Sequence, residues 1–149
     1  MTEVRFYHLT KKTLEQALPD LLERVLNLGK KAVIKVSDED ALKVMSKHLW
    51  VCRRNGFLPH GIENDNHPEH DPLWLTAKDD NPIGADTLIL TMGAESSKME
   101  EFGIVCEMLN GQNNNEVKSA RERWKTYKEK GYDLTYWQQS EKGSWEKKA

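Results

Sequence analysis

The clearest pattern in the chain is an amphipathic helix over residues 115–131. Its apolar residues recur three and four positions apart, which places them on one face of a helix. These residues are Val117, Ala120, Trp124 and Tyr127. Asn115 is predicted to cap the beginning of the helix, and Gly131 is predicted to end it.

A basic stripe lies beside this apolar face. Its residues keep the same spacing one position later, about 100° further round the helix. They are Lys118, Arg121, Lys125 and Lys128. A basic edge beside a large aromatic suits an acidic peptide with an apolar anchor, but a solvated amphipathic helix has the same pattern. For Trp124 and Tyr127, a place in the core and a place in a binding site are equally compatible with the spacing.

The rest of the chain alternates between strand and helix patterns. One predicted helix follows Thr13 and ends at Gly29, and another begins after Ser37 or Asp38. The predicted strands are residues 4–9, 32–36, 73–76 and 87–92. Residues 103–109 fit a strand or a helix, and the short length of the segment and the break after it favour a strand. A strand, a helix and a strand in succession predict a right-handed βαβ unit and a parallel sheet.

These elements predict one α/β domain over residues 1–137. Residues 134–137 are predicted to be a short extended piece. The last segment, residues 138–149, is polar and is predicted to form a mobile tail.

Composition narrows the class of protein. The 149 residues are 38% hydrophobic and 31% charged, which is typical of a soluble globular domain. A net charge of −2 disfavours gripping the nucleic-acid backbone, although direct binding of single-stranded DNA through the basic helix stays open. The first residues do not resemble a signal peptide, and no apolar run reaches membrane-spanning length, so we expect a cytoplasmic protein without a membrane partner.

The sequence offers little for catalysis or for a cofactor. It has no phosphate loop, no G-x-G-x-x-G and no G-x-S-x-G motif. His60, His67 and His70 are close together, but the prolines among them disfavour a helix that would bring them to one metal ion. Cys52 and Cys106 do not have metal or redox spacing. We therefore predict neither metal nor cofactor, with an α/β enzyme or nucleotide-binding protein of unrecognised motif as the alternative.

One further segment combines large apolar residues with turn residues. Trp50, Phe57 and Leu58 lie in a stretch interrupted by Gly56 and Pro59. Such a loop either folds onto its own core or presents aromatic anchors to another protein.

Five motifs, in order and spacing, resemble the chi subunit family of the bacterial DNA polymerase III holoenzyme. The resemblance runs from Phe6 to about Trp137. The motifs are F-Y-H-L at 6–9, L-W at 49–50, F-L-P-H-G at 57–61, A-R-E-R-W-K-x-Y-x-x-x-G at 120–131 and Y-W at 136–137. The resemblance implies a three-layer Rossmann-like fold, with a mostly parallel sheet flanked by helices and without a nucleotide site. It also implies no catalysis and an adaptor role in the clamp-loader assembly.

The resemblance also implies two partner surfaces. The first binds the acidic, phenylalanine-ended C-terminal tail of the single-stranded DNA-binding protein, at the positions of Arg121, Trp124 and Lys125. Helix geometry adds Lys118 and Lys128 to this surface, and Trp124 stands where the family often has tyrosine. The second surface binds the psi subunit, with a helicase-type partner as the alternative. Its positions here are Trp50, Phe57, Pro59 and His60. DNA would be contacted only indirectly.

Overall fold

The computed structural model describes residues 2–11, 13–51, 72–92, 94–96, 98–142 and 145–148, apart from the side chains of residues 50 and 51. The strands are β1 Glu3–Leu9, β2 Ala32–Lys35, β3 Leu73–Thr76, β4 Thr87–Thr91, β5 Ile104–Asn110, β6 Asp133–Gln139 and β7 Trp145–Lys147. The helices are α1 Leu14–Asn27, α2 Glu39–Val51 and α3 Asn114–Glu129, with a 3₁₀ turn at Met99–Glu101.

The seven strands form one sheet in the order β3-β2-β4-β5-β1-β6-β7. All neighbours pair parallel except β6 and β7, which pair antiparallel. The predicted α/β class with a mostly parallel sheet is therefore confirmed. Within the described ranges, no helix has the length and apolar character needed to cross a membrane.

Alternation along the strands gives the sheet two buried faces. Leu9 of β1 packs with Leu18 of α1 and Met45 of α2 on one face. Val4 and Phe6 of β1 point to the opposite face, where α3 covers them. The result is a helix layer, a sheet and a second helix layer, as the family resemblance implied.

The first two strands are parallel but are not neighbours. β4 and β5 lie between them, because β1 pairs with β5 on one side and with β6 on the other. The order of elements along the chain predicted the parallel direction correctly. It could not show that β4 and β5, which follow both strands in the chain, would insert between them.

A proline in α1 is compensated by α2. Pro19 lies inside the helix and lacks the N–H that would bond to the carbonyl of Glu15. His48 of α2 fills that place, with its Nε2 at 2.6 Å from the Glu15 oxygen. Since a carbonyl only accepts, the His48 Nε2–H is the donor, and the two helices are joined at this point.

The last residues belong to the sheet rather than to a separate tail. Gln138 and Gln139 complete β6, and Trp145–Lys147 forms β7 at its edge. The Trp145 ring stands edge-on to Tyr7, with ring centroids 5.0 Å apart. A strand of three residues with one apolar side chain is too short to show an alternating pattern, which is why the sequence indicated a tail.

Candidate functional site

The beginning and end of α3 fix its place over the sheet. The Asn113 side chain accepts from the N–H groups of Asn115 and Glu116 at 3.0 and 3.2 Å, so Asn113 is the cap and the prediction of Asn115 is wrong. Gly131 has φ +85, a conformation that favours glycine, and ends the helix as predicted.

The apolar face of α3 packs against the sheet, as its spacing predicted. Ala120 and Tyr127 are buried, while Trp124 is half-buried. The Phe6 ring of β1 lies 5.3 Å from the Trp124 ring and 6.0 Å from the Tyr127 ring. Trp124 also meets the edge of Tyr136 on β6 at 5.8 Å. Trp124 therefore belongs both to the core and to the surface beside it.

A buried ion pair anchors α3 to β5. Arg123 and Glu107 are only 8% and 2% exposed. The Arg123 Nε donates to both carboxylate oxygens of Glu107 at 2.9 and 3.1 Å, and its Nη1 donates to Ser119. Burial raises the pKa of the Glu107 carboxyl to about 7, and Arg123 opposes that rise. Sequence analysis did not single out either residue.

The predicted basic stripe lies beside the apolar face of α3 and points to solvent. Lys118, Arg121, Lys125 and Lys128 are all exposed. Arg121 and Lys125 border a groove between α3 and the sheet, whereas Lys118 and Lys128 lie outside the groove lining.

The groove has a volume of about 480 Å³ and is built from three elements. Arg121, Trp124 and Lys125 of α3 form one side of it. The sheet contributes His8, Tyr136 and Gln138. The β1–β6 pairing sets Phe6 beside Tyr136 and His8 beside Gln138, which brings together residues more than 120 positions apart. Only this strand register, which the sequence pattern does not show, could have revealed the three sheet residues.

His8 and Tyr136 are joined by a short hydrogen bond. The His8 Nδ1 lies 2.6 Å from the Tyr136 hydroxyl oxygen. Burial lowers the pKa of His8, and the positive charge of Arg121 lowers it further, so the ring is neutral near pH 7. Burial raises the pKa of Tyr136, so its hydroxyl stays protonated. In the neutral pair, Tyr136 O–H donates to Nδ1 of His8 in the Nε2–H tautomer, and His8 donates to the Tyr136 oxygen in the Nδ1–H tautomer.

Gly111 lies against the Nε2 edge of the His8 ring, on the side away from Tyr136. Its N–H donates to the Leu9 carbonyl at 2.7 Å, so the backbone passes close to β1. A Cβ at this position would collide with the Leu9 carbonyl and with the Nε2 edge of His8. Glycine is required here by the close approach, which keeps Nδ1 turned toward Tyr136.

The chemistry of the groove is that of an anion site with aromatic walls. The six lining residues in the described part of the chain include two cations and no carboxylate. The rings of Trp124 and Tyr136 supply apolar surface beside those cations. An arginine can bind a carboxylate in a bidentate manner, and apolar walls can bury an aromatic or aliphatic side chain.

A glutamine side chain of β6 is hydrogen-bonded to the backbone of the loop after β1. In Rossmann-like nucleotide-binding proteins, the backbone amides at this position hold phosphate. Here the Gln139 Oε1 accepts from the N–H groups of Thr10 and Lys11, both at 3.1 Å. The Thr10 hydroxyl donates to the Gln139 carbonyl at 2.9 Å. Two of the backbone amides that could hold a phosphate, those of Thr10 and Lys11, are therefore already bonded.

Several predicted residues lie outside the described part of the chain. These are Cys52, Phe57, Leu58, Pro59, His60, His67, His70 and the side chain of Trp50. Cys106 is buried, and burial raises the pKa of its thiol to about 12, so it stays protonated. Among the residues that are described, no group of three or more His, Cys, Asp or Glu side chains is placed to hold a metal ion.

A three-layer sheet of mostly parallel strands, with the loop after β1 occupied by Gln139, defines a Rossmann-like α/β protein without a phosphate loop. The chain belongs to the DNA polymerase III chi subunit family, HolC, whose model matches residues 1–135. It is similar to a probable DNA polymerase III subunit chi of Rickettsia prowazekii (strain Madrid E), with 27% identity over 99 residues. The match covers 66% of this chain and 60% of that relative.

Proposed function

We propose that this chain is a non-catalytic adaptor subunit of the DNA polymerase III clamp-loader assembly. Its groove between α3 and β6 binds the acidic, phenylalanine-ended C-terminal tail of the single-stranded DNA-binding protein. This contact links the protein that coats single-stranded DNA to the polymerase in the cytoplasm during replication. Family membership and the chemistry of the groove support the proposal.

The observation that carries the proposal is the position of Arg121 beside an aromatic wall. Arg121 and Lys125 border the same groove as Trp124 and Tyr136. The terminal carboxylate of the tail pairs with Arg121, while the phenylalanine ring lies against Trp124 and Tyr136. Acidic residues further up the tail meet Lys118, Lys125 and Lys128 at the exposed surface of α3.

The energies suit a contact that is made and broken repeatedly. Each exposed ion pair contributes roughly 0.2–1 kcal/mol and weakens in salt. Burying the terminal aromatic adds about 2 kcal/mol. We expect a dissociation constant of the order of micromolar, or about −8 kcal/mol.

A second surface is proposed to connect the chain to the assembly. We assign it to Trp50, Phe57, Pro59 and His60, which bind the psi subunit or a helicase-type partner. This assignment rests on the motifs at 49–50 and 57–61 alone. Because Phe57 is assigned to this surface and not to the groove, Phe57→Ala is expected to leave tail binding intact.

Fluorescence anisotropy tests the proposal. A labelled acidic peptide ending in Asp-Ile-Pro-Phe is titrated with the protein at low and moderate salt. We expect saturable micromolar binding that weakens with salt, and a loss of at least tenfold in affinity, or about 1.4 kcal/mol, for Arg121→Ala. Lys43→Ala, which removes an exposed cation from α2, is the matched control and should bind like the wild type.

Two results would contradict the proposal. One is the absence of peptide binding at either salt concentration. The other is a bare oligonucleotide that binds through the same residues more tightly than the peptide, which would favour direct single-stranded DNA binding. A nucleotide that raised the melting temperature would instead favour the alternative of a nucleotide-binding α/β protein.

A further inference from the structure

His8 is the one histidine of the groove, and the proposed peptide contacts do not use it. Arg121 and Lys125 of α3 border the same groove, and Tyr136 faces His8 from β6. From β5, the residue paired with Phe6 is Glu107, whose carboxylate is held by Arg123. The loop residue against the ring is Gly111, which is uncharged.

We propose that His8 is the Nε2–H tautomer in the free groove, that it takes up a proton at Nδ1 when the groove binds a carboxylate, and that Tyr136 then donates its hydroxyl hydrogen to that carboxylate. His8 and Tyr136 would thus be ligand-binding residues in addition to Arg121, Trp124 and Lys125. The inference rests on the proposed function, since it concerns the same ligand and the same groove.

The charge of Arg121 determines how readily His8 takes up a proton. In the free protein its positive charge opposes a second positive charge on His8, and burial of the ring acts in the same direction. A ligand carboxylate that pairs with Arg121 cancels that repulsion and adds an attraction. The protonated form of His8 is therefore favoured in the complex, and the proton comes from solvent.

The hydrogen bond between His8 and Tyr136 reverses its direction when His8 takes up the proton. In the Nε2–H tautomer, Tyr136 donates its only hydrogen to Nδ1 of His8, 2.6 Å away. The added proton goes to Nδ1, which then donates to the Tyr136 oxygen across the same distance. The Tyr136 hydrogen is released and can turn toward the ligand. Gly111 keeps the ring from turning away, because the Nε2 edge packs against its backbone.

The proton uptake can be measured directly by calorimetry. An acetylated acidic peptide ending in phenylalanine is titrated into the full chain near pH 6.5, in two buffers of different ionisation enthalpy. The carboxylates of the peptide are ionised at this pH, so the uptake belongs to the protein, and the variants described next assign it to a residue. We expect uptake of up to about one proton per peptide, and an affinity that rises as the pH falls from 7.5 to 6.

Two variants assign the proton to its residue. His8→Gln should still bind the peptide but lose both the uptake and the pH dependence. His48→Gln, which alters a histidine between α1 and α2, should keep both. In the wild-type protein, the NMR-detected pKa of the His8 imidazole should rise when the peptide saturates the groove, and this measurement does not depend on any variant folding.

The outcomes separate this inference from the proposed function. Peptide binding without proton uptake, or with uptake that survives His8→Gln, would overturn the role of His8 and leave the adaptor proposal standing. Absence of peptide binding at both pH values would overturn both. Tyr136→Phe should weaken binding several-fold at pH 6, where the hydroxyl is a donor to the ligand, and less at pH 7.5.

Discussion

Arg123 and Arg121 are two residues apart on α3, and they have opposite environments. Arg123 is buried in an ion pair with Glu107, whereas Arg121 is exposed at the groove. The buried pair fixes the rotation of α3 about its own axis, because Arg123 can reach Glu107 only when its side of the helix faces the sheet. That rotation is what directs Arg121 to the groove.

The first prediction concerns this ion pair. Arg123→Ala should lower the free energy of unfolding by about 3–5 kcal/mol, because it leaves the Glu107 carboxylate buried without a partner. Urea denaturation measures the change. Arg121→Ala, an exposed position, should stay within about 0.5 kcal/mol of the wild type. The double variant Glu107→Leu with Arg123→Met should recover most of the loss, and equal effects of the two single arginine variants would contradict this account.

The second prediction concerns the double role of Trp124. Trp124→Ala should cost about 2 kcal/mol of stability, since the ring contacts Phe6 and Tyr136 but is only half-buried. It should also weaken peptide binding at least tenfold, measured by anisotropy at a temperature where the variant is folded. Trp124→Tyr keeps an aromatic wall and is expected to retain binding. A variant that lost stability without losing affinity would remove Trp124 from the binding site.

The third prediction concerns Gly111. Gly111→Ala introduces a methyl group into the space of the Leu9 carbonyl and the His8 ring, so the loop or the ring must shift. We expect a loss of about 1–3 kcal/mol in stability and a displaced His8 resonance in the NMR spectrum. Gly29→Ala is the comparison, since its φ of +70 strains alanine but its surroundings are open. It should lower stability without moving the His8 signal. An unchanged His8 signal in Gly111→Ala would show that the close approach is not what positions the ring.

The fourth prediction compares two adjacent glutamines. Gln139→Ala leaves the N–H groups of Thr10 and Lys11 without their acceptor and should cost about 1–3 kcal/mol. Gln138→Ala changes only the groove side of β6 and should have a smaller effect on unfolding. Thermal or urea denaturation of the two variants decides between them. Equal stability of the two would mean that water replaces Gln139 at the loop.

Much of the fold follows from short-range patterns in the sequence. The spacing of the apolar residues from Val117 to Tyr127 predicted the helix and its apolar face. The predicted bounds of strands such as residues 87–92 and 103–109 agree with the structure within a residue or two. The cap of α3 was misplaced because Asn113, Asn114 and Asn115 are the same residue type. Only the path of the chain decides which of three asparagines meets the free amides.

The parts of the site that were missed depend on contacts between distant residues. His8 and Tyr136 are 128 positions apart, and their contact needs the β1–β6 register. Arg123 follows Ala120 by three positions and precedes Tyr127 by four, so its helical phase did indicate burial. Its charge suggested a surface position. Only the position of Glu107 on β5 shows the ion-pair partner that offsets the cost of burying the Arg123 charge.

The arrangement of β1 and β6 has a consequence for synthesis on the ribosome. Chains emerge from the amino end, and a domain completes its packing only when its last strands are available. His8 is made well before Tyr136 and Gln138. The groove therefore does not exist while the chain is still being translated through α3. A nascent chain carries the basic stripe but not the groove, so ligand binding begins only after β6 has taken its place beside β1.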